Sequence, residues 1–216
     1  MATVIAGEKL SRSHVFHIII SVAMLISVLM VGFVEEEKYR TDVQKELAAA
    51  QKELSDAEWE TIEAKVRHRH QKYFYDNGFY GELKHMILPK VESHVDVIAN
   101  KEYLYRIMNN VQVFAYQVFY RLTTMEYWFS IMGPALFCII YSGYNEWRIN
   151  RYRLGGAKTS RARMYMKALW LIIICFIFLL VSPAMLNVLS VYTPALLLVL
   201  MAFAISKYIQ SFQKDL

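Results

Sequence analysis

Long runs of apolar residues without a charged side chain dominate the hydrophobic pattern of the chain. The first run, Ser13–Val34, has 22 residues, and the second, Tyr127–Asn145, is bounded by aromatic residues at both ends. A helix needs about 20 apolar residues to cross the hydrocarbon core of a bilayer, so each run is long enough for one span. Tyr and Trp at both ends of the second run are typical of membrane interfaces.

The third run, Ala168–Ser206, has 39 residues without a charge and is too long for one span. As a single helix it would be about 58 Å long, nearly twice the thickness of a ~30 Å hydrocarbon core. Pro183 and Asn187 interrupt it, and these residue types break helices and favour turns. We therefore predict two spans joined by a tight connection, Ala168–Met185 and Tyr192–Lys207.

A polar segment, 35–126, lies between the first and second runs, and its composition predicts helices. Glu35–Arg69 is rich in Ala, Glu, Lys and Gln and lacks Gly and Pro, so we expect a helix that continues out of the first span as a stalk. Asn77-Gly78 breaks this helix within a Tyr/Phe-rich elbow, Tyr73–Tyr80, and Val91–Thr123 predicts a second helix running into the second span. The predicted fold class is an all-α membrane protein with four transmembrane helices and an extracytoplasmic helical hairpin.

A narrow apolar stripe follows the predicted stalk. Its members recur at steps of four and three residues, which places them on one helical face: Val43, Leu47, Ala50, Leu54 and Ala57. A stripe of this width packs on one partner helix. That partner is either a later helix of the same chain or a second copy, in which case Val43, Leu47, Ala50 and Leu54 mediate self-association.

The distribution of charge predicts the side of the membrane on which each segment lies. The connection 146–167 holds seven basic residues and one acidic residue. The polar segment 35–126, called the outer segment below, holds 13 basic and 16 acidic residues. Because cytoplasmic loops carry the excess of Lys and Arg, we expect a multi-pass protein of the bacterial inner membrane with both termini in the cytoplasm. The expected segments are a cytoplasmic tail with the first span (1–34), the extracytoplasmic helices (35–126), the second span (127–145), the basic cytoplasmic connection (146–167), the hairpin of the third and fourth spans (168–207) and a cytoplasmic tail (208–216).

The residues offer little support for catalysis or cofactor binding. Cys138 and Cys175 both lie inside apolar runs and lack metal-ligand spacing. His68 and His70 are two positions apart, so on a helix they point in different directions. No phosphate-binding loop, nucleophile elbow or zinc-protease motif is present, and the predicted spans carry no charged residue at mid-depth. We predict that the protein is not an enzyme and has no catalytic residue, metal or cofactor.

The basic connection is the candidate site for a partner. Its cationic residues are Arg148, Arg151, Arg153, Arg161, Arg163 and Lys167, with Lys158 between them. Three interpretations remain open: retention of the connection in the cytoplasm with contacts to anionic membrane lipid, docking of a partner such as an ATPase with an acidic face, and contact with nucleic acid. A connection this short offers little area to phosphates, which argues against direct nucleic-acid binding.

Short motifs along nearly the whole chain carry a family resemblance. They are Trp147-Arg148, Arg151-Tyr152-Arg153, Gly155-Gly156, Ser160 and Tyr165-Met166-Lys167-Ala168 in the connection, Tyr73-Phe74, Asn77-Gly78-Phe79-Tyr80 and Leu88-Pro89 in the elbow, and Arg121, Pro183, Pro194 and Phe212-Gln213-Lys214 elsewhere. With these motifs the chain resembles a family of four-span membrane proteins of integrating conjugative elements and plasmids. Members are encoded near the coupling ATPase of a type IV secretion system, and the family brings no catalytic residues.

Topology, charge and resemblance together predict an accessory inner-membrane subunit of a conjugative DNA-transfer apparatus. Its expected partners are membrane lipid and other membrane proteins of the secretion complex, with the coupling ATPase as the candidate for the basic connection. The alternative is a small channel or an exclusion or immunity protein of the membrane, which acts as a homo-oligomer through the apolar stripe.

Overall fold

The computed structural model describes residues 18, 21–22, 25, 31–87, 97–150, 159–182 and 191–211. Every regular element within these ranges is helical, which confirms the predicted all-α class. In chain order the elements are α1 (Glu36–Glu53), α2 (Asp56–His70), a π-helical turn (Gln71–Asp76), α3 (Phe79–Ile87), α4 (Val97–Asn150), α5 (Thr159–Val181) and α6 (Thr193–Gln210).

The central element is α4, a single helix of 54 residues. At 1.5 Å per residue it is about 80 Å long, roughly twice the thickness of a bilayer with its headgroups. Its first half packs against α1 and α2, and its second half packs along α6, which in turn packs against α5. The outer segment runs into the second apolar run without a break, as the sequence predicts, and the helix continues past Pro134.

The predicted stalk is not one helix, because α1 ends at Glu53 and α2 begins at Asp56. Two hydrogen bonds from Ser55 to Glu58 start the new helix: the Ser55 backbone N–H and hydroxyl both donate to the Glu58 carboxylate, at 3.0 and 2.7 Å. A Ser followed three residues later by a Glu is a helix-start signal, and it was present in the sequence. The break lets α1 and α2 contact α4 separately instead of extending as one rod.

The helix end at Val31–Val34 is held by the side chain of Asn110. This fully buried amide donates to the backbone carbonyls of Val31, at 2.8 Å, and Val34, at 3.0 Å. The last carbonyls of a helix have no partner within that helix, so a side chain that bonds them stabilises its end. The chain bends at Val34 before α1 starts, so the stalk does not continue straight out of the first apolar run.

The aromatic elbow joins α2 to a short helix that the sequence analysis did not predict, α3. Gly78 turns the chain with φ of +78°, a conformation that favours glycine. Phe74 is buried there, whereas the neighbouring Tyr73 and Phe79 are each half exposed. The elbow is therefore partly core and partly surface.

Two helical stretches among the described residues are long and apolar enough to cross a membrane, Ala162–Val181 and Thr193–Gln210. They correspond to the third and fourth predicted spans. The second predicted span, Tyr127–Asn145, lies inside α4 but is not among these stretches, since its Tyr, Trp, Ser, Gly and Pro residues lower its mean hydropathy. The first, Ser13–Val34, lies mostly outside the described residues. The four-span topology therefore stays a prediction.

α4 and α6 approach each other closely at Gly143. A Cβ atom added there would stand 2.7 Å from both the Cα and the carbonyl oxygen of Ser206, and closer still to its hydroxyl. Small residues at such a contact let two helix backbones approach each other, as in membrane helix pairs. The contact also fixes which parts of the two helices lie side by side.

Gly143→Ala should destabilise the protein, whereas Gly133→Ala should not. The added methyl group at 143 meets backbone that cannot move without separating the helices, with an expected cost of about 1–3 kcal/mol. At Gly133 a Cβ atom has no neighbour within 4 Å, so the better helix propensity of Ala makes that variant neutral or slightly stabilising. Circular dichroism, recorded while each detergent-solubilised variant is heated, measures the difference between their unfolding midpoints. Equal midpoints would show that the α4–α6 contact is looser than described.

Candidate functional site

Three of the predicted docking residues, Arg148, Arg163 and Lys167, lie at one end of the bundle formed by α4, α5 and α6. Since Gly143 contacts Ser206, the last turn of α4 and the last turn of α6 lie at the same end. The beginning of α5 lies there too, because the opposite end of α5 contacts Arg121, much earlier in α4. This end of the bundle is called the basic end below.

Three of the six predicted docking residues have side chains that the structure describes. Arg148, Arg163 and Lys167 are all exposed, and Arg163 and Lys167 are four positions apart on α5, so they share a helix face. They form no ion pair with the described residues. Arg161 belongs to α5, while Arg151 and Arg153 lie outside the described residues.

Much of the basic connection is helical. α4 continues to Asn150 and α5 begins at Thr159, so the regular helices extend into 146–167 from both sides. Arg163 and Lys167 are consequently held on a helical surface with defined spacing. A surface of this kind presents fixed positive charges to an acidic partner or to phosphate groups.

A buried polar cluster, which the sequence analysis did not identify as a site, lies at the other end of the bundle. The Arg121 side chain is only 5% exposed, and its Nε and Nη2 atoms donate to the two Glu46 carboxylate oxygens at 2.8 and 2.9 Å. Its Nη1 atom donates to the carbonyl oxygens of Leu179, at 2.7 Å, and Ser182. One guanidinium thus joins α1 and α4 to the C-terminal end of α5, and we call this set the Arg121 junction.

The carboxylate of Glu46 receives a further donor from inside the outer segment. The Gln117 amide donates to Glu46 at 2.7 Å and accepts a hydrogen bond of 3.0 Å from the Tyr39 hydroxyl. Tyr39 and Gln117 are both almost completely buried, and burial raises the pKa of the Tyr39 phenol far above its usual value. The phenol therefore stays protonated and acts as a hydrogen-bond donor at any physiological pH.

The chain that enters α6 is held by the same layer of residues. The Trp128 indole donates to the Val191 carbonyl at 2.8 Å, and the Val191 N–H donates to the Glu53 carboxylate at 3.3 Å. The Tyr192 hydroxyl donates to the Glu53 carbonyl at 3.0 Å. Two carboxylates of α1 therefore hold the ends of the other helices. Glu46 reaches the end of α5 through Arg121, and Glu53 directly contacts the chain at the start of α6.

Three of the four stripe residues proposed for self-association are buried inside the chain. Val43 packs against Val113 and Phe114 of α4, while Ala50 and Leu54 belong to a core with Tyr120. Leu47 is partly buried against the same cores. Self-association through this stripe stays a prediction, and it would require α1 to leave α4.

The three histidines that the structure describes, His68, His70 and His85, have the following surroundings. His70 is stacked on Phe74 and contacts the rings of Tyr75, Tyr116 and Phe119, and burial lowers its pKa. His68 and His85 are exposed. Within the described ranges, no group of three or more His, Cys, Asp or Glu side chains is placed to hold a metal ion.

Residues 33–213, most of the chain, match a family of known proteins. Its description is "IncC plasmid conjugative DNA transfer protein DtrJ-like". The chain belongs to the DtrJ-like family. Membership implies a role in conjugative DNA transfer, as the resemblance predicted. The match includes the Arg121 junction, the aromatic elbow and the whole basic end. No curated protein and no solved structure matches the chain.

Glu46→Gln tests the Arg121 junction of this family member. The variant keeps the shape of the side chain but leaves a buried guanidinium without its counter-charge, so we expect a loss of about 3–5 kcal/mol in the free energy of unfolding. Glu63→Gln is the matched control, because Glu63 pairs with the exposed Arg67 in an i,i+4 arrangement worth about 0.3–0.5 kcal/mol. Denaturant unfolding in detergent compares the two. Similar losses would mean that the junction is weaker than its burial implies.

Glu58 should titrate far below an ordinary glutamate. The Tyr127 hydroxyl and then Ser55 donate to its carboxylate and lower its pKa to about 2. Because the pKa is depressed, the ionised Glu58 carboxylate stabilises the folded protein. Its contribution is complete above pH 4.5 and is lost as the pH falls from 4.5 through about 2. Tyr127→Phe removes the largest cause and should raise the pKa toward 4.5, whereas Tyr105→Phe, on an exposed side chain elsewhere in α4, should not. Carbon-13 NMR titration of labelled Glu side chains follows both, and an unchanged pKa in Tyr127→Phe would contradict the assignment.

Proposed function

We propose that the protein is an accessory inner-membrane subunit of a conjugative DNA-transfer apparatus and that its basic end docks the cytoplasmic coupling ATPase. The observation that carries the proposal is the placement of Arg148, Arg163 and Lys167, all exposed, at one end of a bundle that contains both candidate spans. The family supplies the process, which is conjugative DNA transfer.

The spacing along α4 supports a membrane between the two ends of the bundle. Arg121 and Arg148 are 27 positions apart (148 − 121), which corresponds to about 40 Å of helix. A bilayer with its headgroups is about 40–45 Å thick. The 19 residues from Tyr127 to Asn145 between them carry no charge, so α4 fits as a third crossing helix beside α5 and α6.

The charge pattern supports a cytoplasmic position for the basic end. Cationic residues next to a span are retained on the cytoplasmic side, and an excess of seven basic residues to one acidic residue lies in 146–167. In this topology the first apolar run provides the fourth span, and the helices before Arg121 extend into the periplasm. An acidic face on the ATPase would meet fixed charges on α4 and α5, which favours fast, salt-sensitive association.

The proposal contains no catalytic step. Hydrolysis of nucleotide belongs to the ATPase, and the subunit would position that enzyme at the membrane. The alternative role as a self-associating channel or exclusion protein through the stripe on α1 has less support, since α4 already covers most of that stripe.

Charge reversal at the basic end tests the docking role. The triple variant Arg148→Glu, Arg163→Glu, Lys167→Glu should lose co-purification of the coupling ATPase in mild detergent and should lower DNA transfer at least tenfold. The physical reason is that like charges facing each other across an interface cost several kcal/mol.

The matched control reverses three exposed cations of the outer segment, in the variant Lys38→Glu, Lys52→Glu, Lys65→Glu. Both triple variants change the net charge equally, and ATPase recovery should fall only in the first. Normal recovery and normal transfer with the basic-end variant would disprove docking, provided that immunoblots show equal amounts of protein in the membrane fraction.

A further inference from the structure

Both ends of α2 are fastened to the same turn of α4. Near the start of α2, the Glu58 carboxylate accepts a hydrogen bond from the Tyr127 hydroxyl. Near its end, Arg69 donates to the Thr123 hydroxyl at 3.2 Å and pairs with Glu126. Positions 58 and 69 are 11 residues apart (69 − 58), or about 16 Å of helix, whereas positions 123 to 127 span only about 6 Å. α2 therefore crosses α4 at a steep angle instead of running along it.

The crossing places α2 directly above the charge-free part of α4. Ile62 and Val66 of α2 pack with Tyr120 of α4. Tyr120 precedes Tyr127, the first residue of the charge-free run, by seven positions (127 − 120), or about 10 Å. A helix with its side chains has a radius of about 5–6 Å, so the lower surface of α2 lies about 5 Å above Tyr127. The headgroup layer on each side of the hydrocarbon core is about 5–7 Å thick, so in the proposed topology this surface lies among the headgroups of the periplasmic leaflet.

The side of α2 that faces the membrane follows from the contacts on its other side. His70 and Arg67 both interact with Tyr116, which lies farther from the charge-free run than Tyr120 does. The opposite side of α2 carries three residues at spacings of three and four, and we call them the cationic face: Lys65, His68 and Lys72. All three are exposed, and they form no ion pair with the described residues.

The carboxylates closest to the cationic face already have partners. Glu58 accepts hydrogen bonds from Tyr127 and Ser55, and Glu126 pairs with Arg69. The remaining acidic residues of α2 lie on its other sides: Asp56, Glu60 and Glu63. The cationic face is therefore available to an anion from outside the chain.

Beneath the cationic face, the surface of α4 is apolar and open. Ile131, Pro134 and Cys138 continue the side of α4 that carries Tyr127, at spacings of four, three and four residues, and all three are exposed. α5 and α6 pack on a different side of α4, which includes Leu136. In a membrane, acyl chains would cover the open side of α4, and the phosphate groups of those lipids would lie at the level of the cationic face.

We propose that the cationic face of α2 binds the phosphate groups of anionic phospholipids in the periplasmic leaflet, whose acyl chains pack on the open side of α4. Lysine presents a point charge on a flexible stem, and each cation near an anionic membrane surface strengthens the attraction about fivefold. The proposal rests on the topology of the proposed function, because α4 must cross the membrane. The contact holds the outer helices at a defined level above the bilayer.

Fluorescence quenching in nanodiscs tests where the cationic face lies. Full-length protein with Cys138→Ala and Cys175→Ala carries one dye, attached either at His68→Cys on the cationic face or at Arg67→Cys on the opposite side. Because opposite sides of a helix differ by about 10 Å in depth, a nitroxide on the lipid headgroup should quench the dye at 68 at least about twofold more than the dye at 67. Equal quenching at the two positions would overturn the proposal.

Lipid composition tests what the cationic face binds. Phosphatidylglycerol added to phosphatidylcholine nanodiscs should increase the quenching at 68, and salt should reverse the increase. Lys65→Gln with Lys72→Gln should lose the increase, whereas Lys65→Arg with Lys72→Arg should keep it. The control Lys38→Gln with Arg40→Gln should also keep it, because these exposed cations start α1 at the level of Asn109, about 27 Å above the charge-free run (127 − 109 positions).

The remaining outcomes separate this contact from the proposed topology. No response to phosphatidylglycerol, or a full response in the Gln variant, would overturn the proposal and indicate an occupant other than lipid, such as an acidic protein. Circular dichroism establishes that every variant is folded. A dye on Cys138 of the Cys175→Ala protein, with a nitroxide on the acyl chain, tests the crossing of α4. Quenching at 138 with no response at 68 removes the lipid contact alone and leaves the topology and ATPase docking intact.

Discussion

The arrangement of the helices depends on one buried cation. Arg121 is almost inaccessible to water, so its charge is stable there only because Glu46 accepts two of its donors and the carbonyls at the end of α5 accept another. Those carbonyls carry the negative end of the helix dipole, which adds to the attraction. The hydrogen bonds that this one guanidinium requires thus hold α1, α4 and α5 in a fixed arrangement.

Two polar side chains of α4 each bond the carbonyl end of another helix. Asn110 bonds the helix end at Val31–Val34 and Arg121 bonds the end of α5, and the two residues are 11 positions apart (121 − 110), or about 16 Å. The first helix end therefore lies about 16 Å farther from the basic end than the second. In the proposed topology Val31–Val34 belongs to the periplasmic layer, and a first span would end earlier than the apolar run predicts.

In the proposed topology, α4 runs without a break from the periplasmic layer to the cytoplasmic basic end, and this continuity has a functional consequence. The outer surfaces and the docking residues lie at opposite ends of α4, so contacts at one end leave the other accessible. The helix is stiff and Arg121 couples it to both α1 and α5, which means that a partner on the outer segment could act on the bundle only by moving these helices together. Such an element suits a subunit that connects components on both sides of a membrane.

The sequence by itself determined the elements whose cause is local or periodic. Charge-free runs predicted the apolar helices, because backbone groups in an apolar setting must bond within a helix. Gly78 predicted the elbow, because glycine alone adopts φ of +78° freely. The basic connection predicted a cationic end. The break at Ser55 was also readable, from its spacing to Glu58. Only the tertiary structure decided that Arg121 meets Glu46 and that Gly143 touches Ser206. Those outcomes depend on which helix faces which across 60 to 75 residues of chain, and a pattern of residue types carries no information on pairings at that distance.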